Sequence, residues 1–304
     1  MKNILYLELF LITLVPIAIS SCDIDDVYKK EQFKKVIALV SNEDYNVFPV
    51  VHDLYDPEST GYVGASCGGT HPSDEMIYLS LSLNTEVIEK FNINNYDVDI
   101  SKYAKMLPEE MYTIDSYEIN IPAGDYSGRM KISVRPEGLS PDSIYFIPLK
   151  ISNSTYEVNP DKDYVLYRVL IKNKWATQES ITNYTMRAIR NTTQLPGTKR
   201  MDPISRNKVR VMVSNVAFES DLDKIEANGM YLEIGEDNRV TITPVKELQV
   251  TQIDGDTEYP NIYRVDDDGY KRYHAFLLHY SYKQGTDTFE MREELRLEIK
   301  DNLF

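Results

Sequence analysis

Carboxylates are the most abundant groups in this chain that could do chemistry, and they gather at three places: Glu109-Glu110, Asp266-Asp267-Asp268 and Glu293-Glu294. Glycoside hydrolysis needs two carboxyls held at a set separation across the scissile bond. Neighbours along a strand point to opposite faces, so Glu293 and Glu294 do not form such a pair. Asp266–Asp268 runs into Gly269, where aspartate has a local hydrogen-bonding role in a turn. Acids brought together from distant strands remain an open alternative. The four histidines, His52, His71, His274 and His279, offer no HExxH spacing. His274 and His279 are five apart and face opposite ways on a regular strand. Asp254-Gly-Asp256-Thr-Glu258 has oxygen ligands of the kind calcium takes but lacks the full loop spacing, so it reads as a hairpin turn. No metal site or cofactor is expected. Cys67, between Gly64-Ala-Ser and Gly68-Gly69, reads as a structural cysteine, because a reactive thiol needs a thiolate-stabilising neighbourhood.

Aromatic residues carry the stronger signal. There are 23 tyrosines and one tryptophan. A sugar's C–H face packs on an aromatic ring and its hydroxyls need polar partners, and tyrosine has both a flat apolar body and a polar tip. Tyr259, Tyr263, Tyr270 and Tyr273 cluster in a turn-rich segment, where scaffolded loops present binding groups. Trp175 falls in a polar stretch that reads as an interdomain linker. These five are the candidate carbohydrate-binding residues. Core or cross-strand packing is the competing reading of each.

The elements that must position these rings are strands. In Arg129–Arg135, Met130, Ile132 and Val134 alternate with Arg129, Lys131, Ser133 and Arg135, which is a half-buried strand. Tyr117, Ile119 and Ile121 alternate before it, joined by the turn-rich 122–128 segment. Strands are expected over 144–151, 164–171, 209–213, 230–234, 240–243, 248–253, 273–282 and 289–299. One short helix is expected at 85–92, with Thr85 as N-cap. Turn clusters at 235–238, 254–256, 266–269 and 284–287 separate the later strands. Short strands at such spacing predict an all-β chain of antiparallel sandwiches or barrels. The domain boundary is expected in the polar stretch KNKWATQESITNY.

The N-terminus carries an address. Lys2, the mostly apolar run Ile4–Ile19, and Ser20-Ser21 before Cys22 follow signal-peptide grammar. The run is short of the ~20 apolar residues of a permanent span. Ile19-Ser20-Ser21-Cys22 resembles the bacterial lipobox, which implies cleavage before Cys22 and lipidation of its thiol; an ordinary signal peptide with a chance cysteine is the alternative. Asp23, Asp25 and Asp26 resemble the acidic export tag of surface lipoproteins of the Bacteroidota, with a solvated linker as the alternative. Residues 22–304 remain, enough for about two domains. A net charge of −15 and a pI near 4.8 argue against nucleic acid, which requires clustered Lys and Arg, and against peripheral binding to anionic lipid. With Cys22 lipidated, Cys67 has no disulfide partner within the chain.

A wider resemblance follows the order of short pieces. Leu79-Ser-Leu-Ser-Leu83, Phe91-Asn92, Tyr103, Leu107-Pro108, Tyr112, Ile119-Asn-Ile-Pro-Ala-Gly124 and Tyr145-Phe-Ile-Pro-Leu149 resemble the immunoglobulin-like N-terminal domain of unknown function in polysaccharide-utilisation lipoproteins of the Bacteroidota. Thr185-Met-Arg187, Thr198-Lys199, Pro203-Ile204-Ser205 and Asn207-Lys-Val-Arg210 resemble the calycin-like β-barrel domain that accompanies it. With the N-terminal signal grammar and the polar boundary stretch, this divides the chain into a signal peptide at 1–21, an acidic linker at 22–34, a sandwich at 35–172, a linker at 173–184 and a barrel-like domain at 185–304. The resemblance implies an outer-membrane, surface-exposed, non-catalytic glycan-binding lipoprotein. Its implied partners are an oligo- or polysaccharide, a TonB-dependent transporter and that transporter's companion lipoprotein, with membrane contact through the lipid alone. A structural or adhesin-like protein with a protein partner is the second reading, and a glycosidase or its accessory domain the third.

Overall fold

The computed structural model describes residues 30–42 and 44–300. Cys22, Asp23, Asp25, Asp26 and the signal segment lie outside the described residues. Among the described residues the fold is all-β with two short α-helices.

The N-terminal part is built from β1 (Ile37–Leu39), β2 (Val47–Asp53), β3 (Ser59–Cys67), β4 (Ile77–Leu83), α1 (Thr85–Tyr96), β5 (Lys105–Met106), β6 (Tyr112–Thr113), β7 (Glu118–Ile121), β8 (Ser127–Val134), β9 (Tyr145–Ser154) and β10 (Tyr164–Lys172). One sheet has the order β1-β3-β8-β6. The second has the order β2-β10-β9-β4-β7, with β5 beside β9. Period-two patterning decides the arrangement: Val63 and Ala65 of β3 and Met130, Ile132 and Val134 of β8 turn inward against Leu79, Ile119, Leu149 and Tyr167 of the other sheet. Cys67 is buried in this core, and burial pushes its thiol pKa up, away from reactivity. The sheets meet closely at Gly61, where a Cβ would lie 1.7 Å from the Tyr167 hydroxyl. That hydroxyl is bonded to His52 Nε2 at 2.9 Å. Helix α1 covers the outer side of the second sheet with Val87 and Ile88 against Phe146 and Leu166. It runs beyond the expected end, and its N-cap is Asn84, not Thr85.

The C-terminal part is one nine-stranded sheet made of β11 (Thr182–Arg190), β12 (Thr193–Ser205), β13 (Lys208–Met212), β14 (Gly229–Ile234), β15 (Val240–Pro244), β16 (Val250–Gln252), β17 (Ile262–Asp267), β18 (Arg272–Gln284) and β19 (Asp287–Ile299). Helix α2 (Leu222–Asn228) precedes β14, capped by Asp221, whose carboxylate accepts the N–H groups of Asp223 and Lys224. The path β15-β14-β13-β12-β11-β19-β18-β16 curls into a nearly closed barrel, with β17 also on β18. The ends approach through Val240 N–H to the Asn261 carbonyl at 2.8 Å and Tyr263 N–H to the Asn238 carbonyl at 2.9 Å. Apolar side chains of alternate positions fill the interior, among them Met186, Val211, Leu232, Phe276 and Leu295.

The linker expected at 173–184 is not a free tether, and its last residues, from Thr182, are already in β11. Asn173 donates to the carbonyls of Ser205 and Lys208, and its Oδ1 accepts from the N–H groups of Trp175 and Ala176. Trp175 is only 7% exposed and packs edge-on against Tyr263, itself 3% exposed. Both rings belong to the barrel core, so the expectation that they offer a face to a ligand is corrected. The polarity of the flanking residues masked this, because Lys174 lays its charge over the Tyr263 ring while the aromatic bodies turn inward.

Candidate functional site

Three antiparallel strands build a shallow groove on the outside of the barrel. Their inward alternation places Tyr184 and Met186 of β11 and Met291 and Leu295 of β19 in the core. The residues between them are therefore forced outward: Asn183, Thr185 and Arg187 on β11, and Glu294, Arg296 and Glu298 on β19. Register aligns Thr185 with Arg296 and Arg187 with Glu294. On the other side, β18 sets Tyr273 opposite Glu298 and Ala275 opposite Arg296. The resulting depression has a volume of about 410 Å³ and adjoins a second of about 490 Å³ that shares Glu298.

The second depression is shaped by the hairpin between β17 and β18. Asp268 accepts the backbone N–H groups of Tyr270 at 3.0 Å and Lys271 at 2.8 Å, which hold its carboxyl below the usual range. Asp267 accepts from Gly269, and Gly269 sits at φ +84°, where a side chain would be strained. The turn thrusts Tyr270 into solvent with 97% of its surface exposed. Lys271 is fixed to Glu298 at 2.8 Å, which raises the lysine pKa. Arg296 lies 4.0 Å over the Tyr273 ring, holding it upright at the groove edge.

Tyr270 and Tyr273 thus line one continuous polar surface. Tyr259 is partly buried on the 253–261 loop, and its phenol pKa is raised by burial and by the nearby Glu294 carboxylate. Tyr263 bonds His274 Nδ1 at 2.9 Å beneath the sheet. Apart from Glu294, which drew notice only as the neighbour of Glu293, the outward polar residues of β11 and β19 were not among the candidates. Their signal was the strict alternation of Arg292, Glu294, Arg296 and Glu298, which reads equally as an ordinary solvated strand face.

The 254–258 segment is a loop joining two strands that both pair with β18, not a hairpin turn. Two of its carboxylates have protein donors. Asp254 takes Gln252 and Asn261, whereas Asp256 takes the N–H groups of Glu258 and Tyr259 and the Arg292 guanidinium, which holds its pKa at about 2. Among the described residues no group of three His, Cys, Asp or Glu side chains could hold a metal ion.

A family model described as an N-terminal domain matches residues 28–158, and one described as a C-terminal domain matches residues 163–296. No curated protein matches the chain. Among solved structures, a Bacteroides ovatus protein of unknown function is 13% identical, with 88% of this chain and 98% of that one covered at a TM-score of 0.62. A multidomain Bacteroides ovatus protein including DUF1735 is 12% identical, with coverages of 86% and 94% and a TM-score of 0.62. An auxiliary nutrient binding protein from Bacteroides thetaiotaomicron is also 12% identical, with coverages of 85% and 94% and the same TM-score. At these identities the likeness to solved structures is one of fold. It covers both domains, so the two-domain arrangement is common to this chain and the three neighbours.

Proposed function

We propose that this protein is a non-catalytic glycan-binding lipoprotein of the outer membrane, anchored by lipid on Cys22, exposed at the cell surface, and serving a neighbouring TonB-dependent uptake system. The carrying observation is the exposed Tyr270 beside the half-buried Tyr273, both next to a row of outward polar side chains on a rigid sheet. Ring faces would take the apolar side of a sugar, and Asn183, Thr185, Arg187 and Glu294 its hydroxyls. A structural neighbour described as an auxiliary nutrient binding protein supports the same reading. Binding without catalysis suits the groove, because Glu294 and Glu298 are four residues apart on one strand, ~13 Å between Cα atoms. Glu298 is also engaged by Lys271.

A glycan array on the chain, followed by calorimetry of Tyr270→Ala and Tyr273→Ala, tests the proposal. Each change is expected to weaken affinity roughly five- to tenfold, the equivalent of about 1 kcal/mol per ring contact, with little change in melting. Trp175→Ala, in contrast, should cost ~3 kcal/mol or more in stability because it empties a core site. An array without hits across host and plant polysaccharides would reject glycan binding and favour a protein partner. Lipid labelling of wild type and Cys22→Ala tests the anchor separately.

A further inference from the structure

The outer face of the β1-β3-β8-β6 sheet is chemically unlike the rest of this acidic chain. Cross-strand register places Thr60 beside Ser133, Tyr62 beside Lys131, Gly64 beside Arg129 and Ser66 beside Ser127 on that face. Ala38 of β1 and Thr113 of β6 complete it. None of these ten positions is a carboxylate, although the chain has 48 Asp and Glu against 33 Lys and Arg. Arg129 and Lys131 are exposed, and neither forms an ion pair among the described residues. Arg129 stacks 4.3 Å over the ring of Tyr62, which is 40% exposed. The stack orders the guanidinium plane while leaving the charge without a counter-ion. Just past the end of β8, Arg135 is held by the carbonyls of Glu110 and Tyr112 and the Thr113 hydroxyl, all uncharged partners. Cations therefore stand at three points of one strand line, Arg129 and Lys131 ~7 Å apart and Arg135 ~14 Å beyond Lys131.

The geometry points to a second binding surface on the N-terminal domain, for an extended anionic polysaccharide carrying uronate carboxylates or sulfate esters. Charge complementarity selects this occupant. A net charge of −15 repels a polyanion from the molecule as a whole. Screening confines that repulsion to ~8 Å at physiological ionic strength, so a locally basic face can still accept one. A guanidinium presents a fork that matches carboxylate and sulfate oxygens, and Lys131 adds a point charge in the next row. The Thr60, Ser66 and Ser127 hydroxyls can meet sugar hydroxyls. An open sheet face has no wall to enclose a monosaccharide, whereas it admits a polymer lying along the strand line. This surface is separate from the barrel groove and does not depend on the role assigned there.

Affinity electrophoresis of the full chain in neutral detergent, through gels containing polygalacturonate, dextran sulfate or neutral dextran, is the test. Retardation is expected in one or both polyanions and not in dextran, and it should fade with added salt. Arg129→Ala combined with Lys131→Ala should weaken it at least tenfold at unchanged melting temperature, and Arg129→Glu with Lys131→Glu should abolish it. Arg129→Lys should restore part of the effect. Tyr270→Ala with Tyr273→Ala should leave it intact, which keeps the two sites distinguishable. No retardation in either polyanion, equal retardation in dextran, or indifference to charge reversal would overturn the proposal. Binding restricted to phosphatidylglycerol vesicles would overturn it in favour of a membrane-facing surface.

Discussion

Glu293 and Lys199 sit fully inside the barrel wall, with the Lys199 Nζ 2.8 and 2.6 Å from the two Glu293 oxygens. Burial pushes the Glu293 carboxyl up and the Lys199 amine down, and their mutual attraction opposes both shifts. Two charges withdrawn from water give little net stability as a pair, but either one alone is costly. Lys199→Met should therefore destabilise the protein by ~3–5 kcal/mol, and Lys199→Met with Glu293→Leu should recover most of that. Urea unfolding of the two variants checks the asymmetry; equal losses would show that the pair itself is the stabilising unit. His52 and His274 make a pH prediction. Burial lowers both to about 4, below the 6.5 of an unfolded histidine. The unfolded chain then binds more protons between those values, so their contribution is complete above pH 6.5 and is lost as pH falls toward 4. Each should account for on the order of 2 kcal/mol of acid destabilisation, read as the difference between wild type and His52→Gln or His274→Gln melts at pH 7 and pH 4.5.

At the level of elements, the β17–β18 hairpin decides whether Tyr270 is presented or merely mobile. Its turn depends on Asp268 capping two backbone N–H groups and on Gly269 at positive φ. Asp268→Ala removes the cap from an exposed turn, so global stability should fall by less than ~1 kcal/mol. Glycan affinity should fall roughly three- to tenfold, because the ring must then be ordered on binding. Calorimetry beside a melting curve separates the two effects, and an affinity equal to wild type would remove the turn from the binding argument.

Across the whole molecule, the two domains are joined by a buried charge cluster. Arg210 of β13 is 3% exposed and meets Asp142, from the loop after β8, at 2.7 Å and Asp202 of β12 at 3.0 Å. Gln178 donates to the Pro141 carbonyl nearby, and Arg206 lies 3.7 Å over the Tyr55 ring. Removing Asp142 leaves Arg210 with Asp202 alone, so Asp142→Ala should loosen the docking of the domains at a cost of ~2–4 kcal/mol in their coupling. Small-angle scattering and limited proteolysis between residues 172 and 182 read that loosening. Identical profiles for variant and wild type would mean that the covalent connection and Asn173 suffice.

Much of the strand plan was legible residue by residue. The alternation in 129–135 and 289–299 reflects a sheet with one side in the core, and that constraint is local to each strand. Of the turn expected at 266–269, only Asp268 and Gly269 lie in it, acting on their own backbone, whereas Asp266 and Asp267 are paired with β18 as the end of β17. Long-range pairing was not legible. The strand at 262–267 was hidden in what reads as a turn-rich run, because its partner β18 follows only after the hairpin and its side chains split between core and solvent. Glu293 shares the inward face of Met291 and Leu295, yet its partner Lys199 is 94 residues away. Sequence by itself determined the all-β class, the acidic surface and the period of each strand, since these depend on composition and neighbours. Only the tertiary structure decided which tyrosines were core and which were surface. A ring's exposure depends on the elements that close over it: Tyr263 lies under the barrel wall with Trp175, while Tyr270 stands seven residues later on a turn that nothing covers.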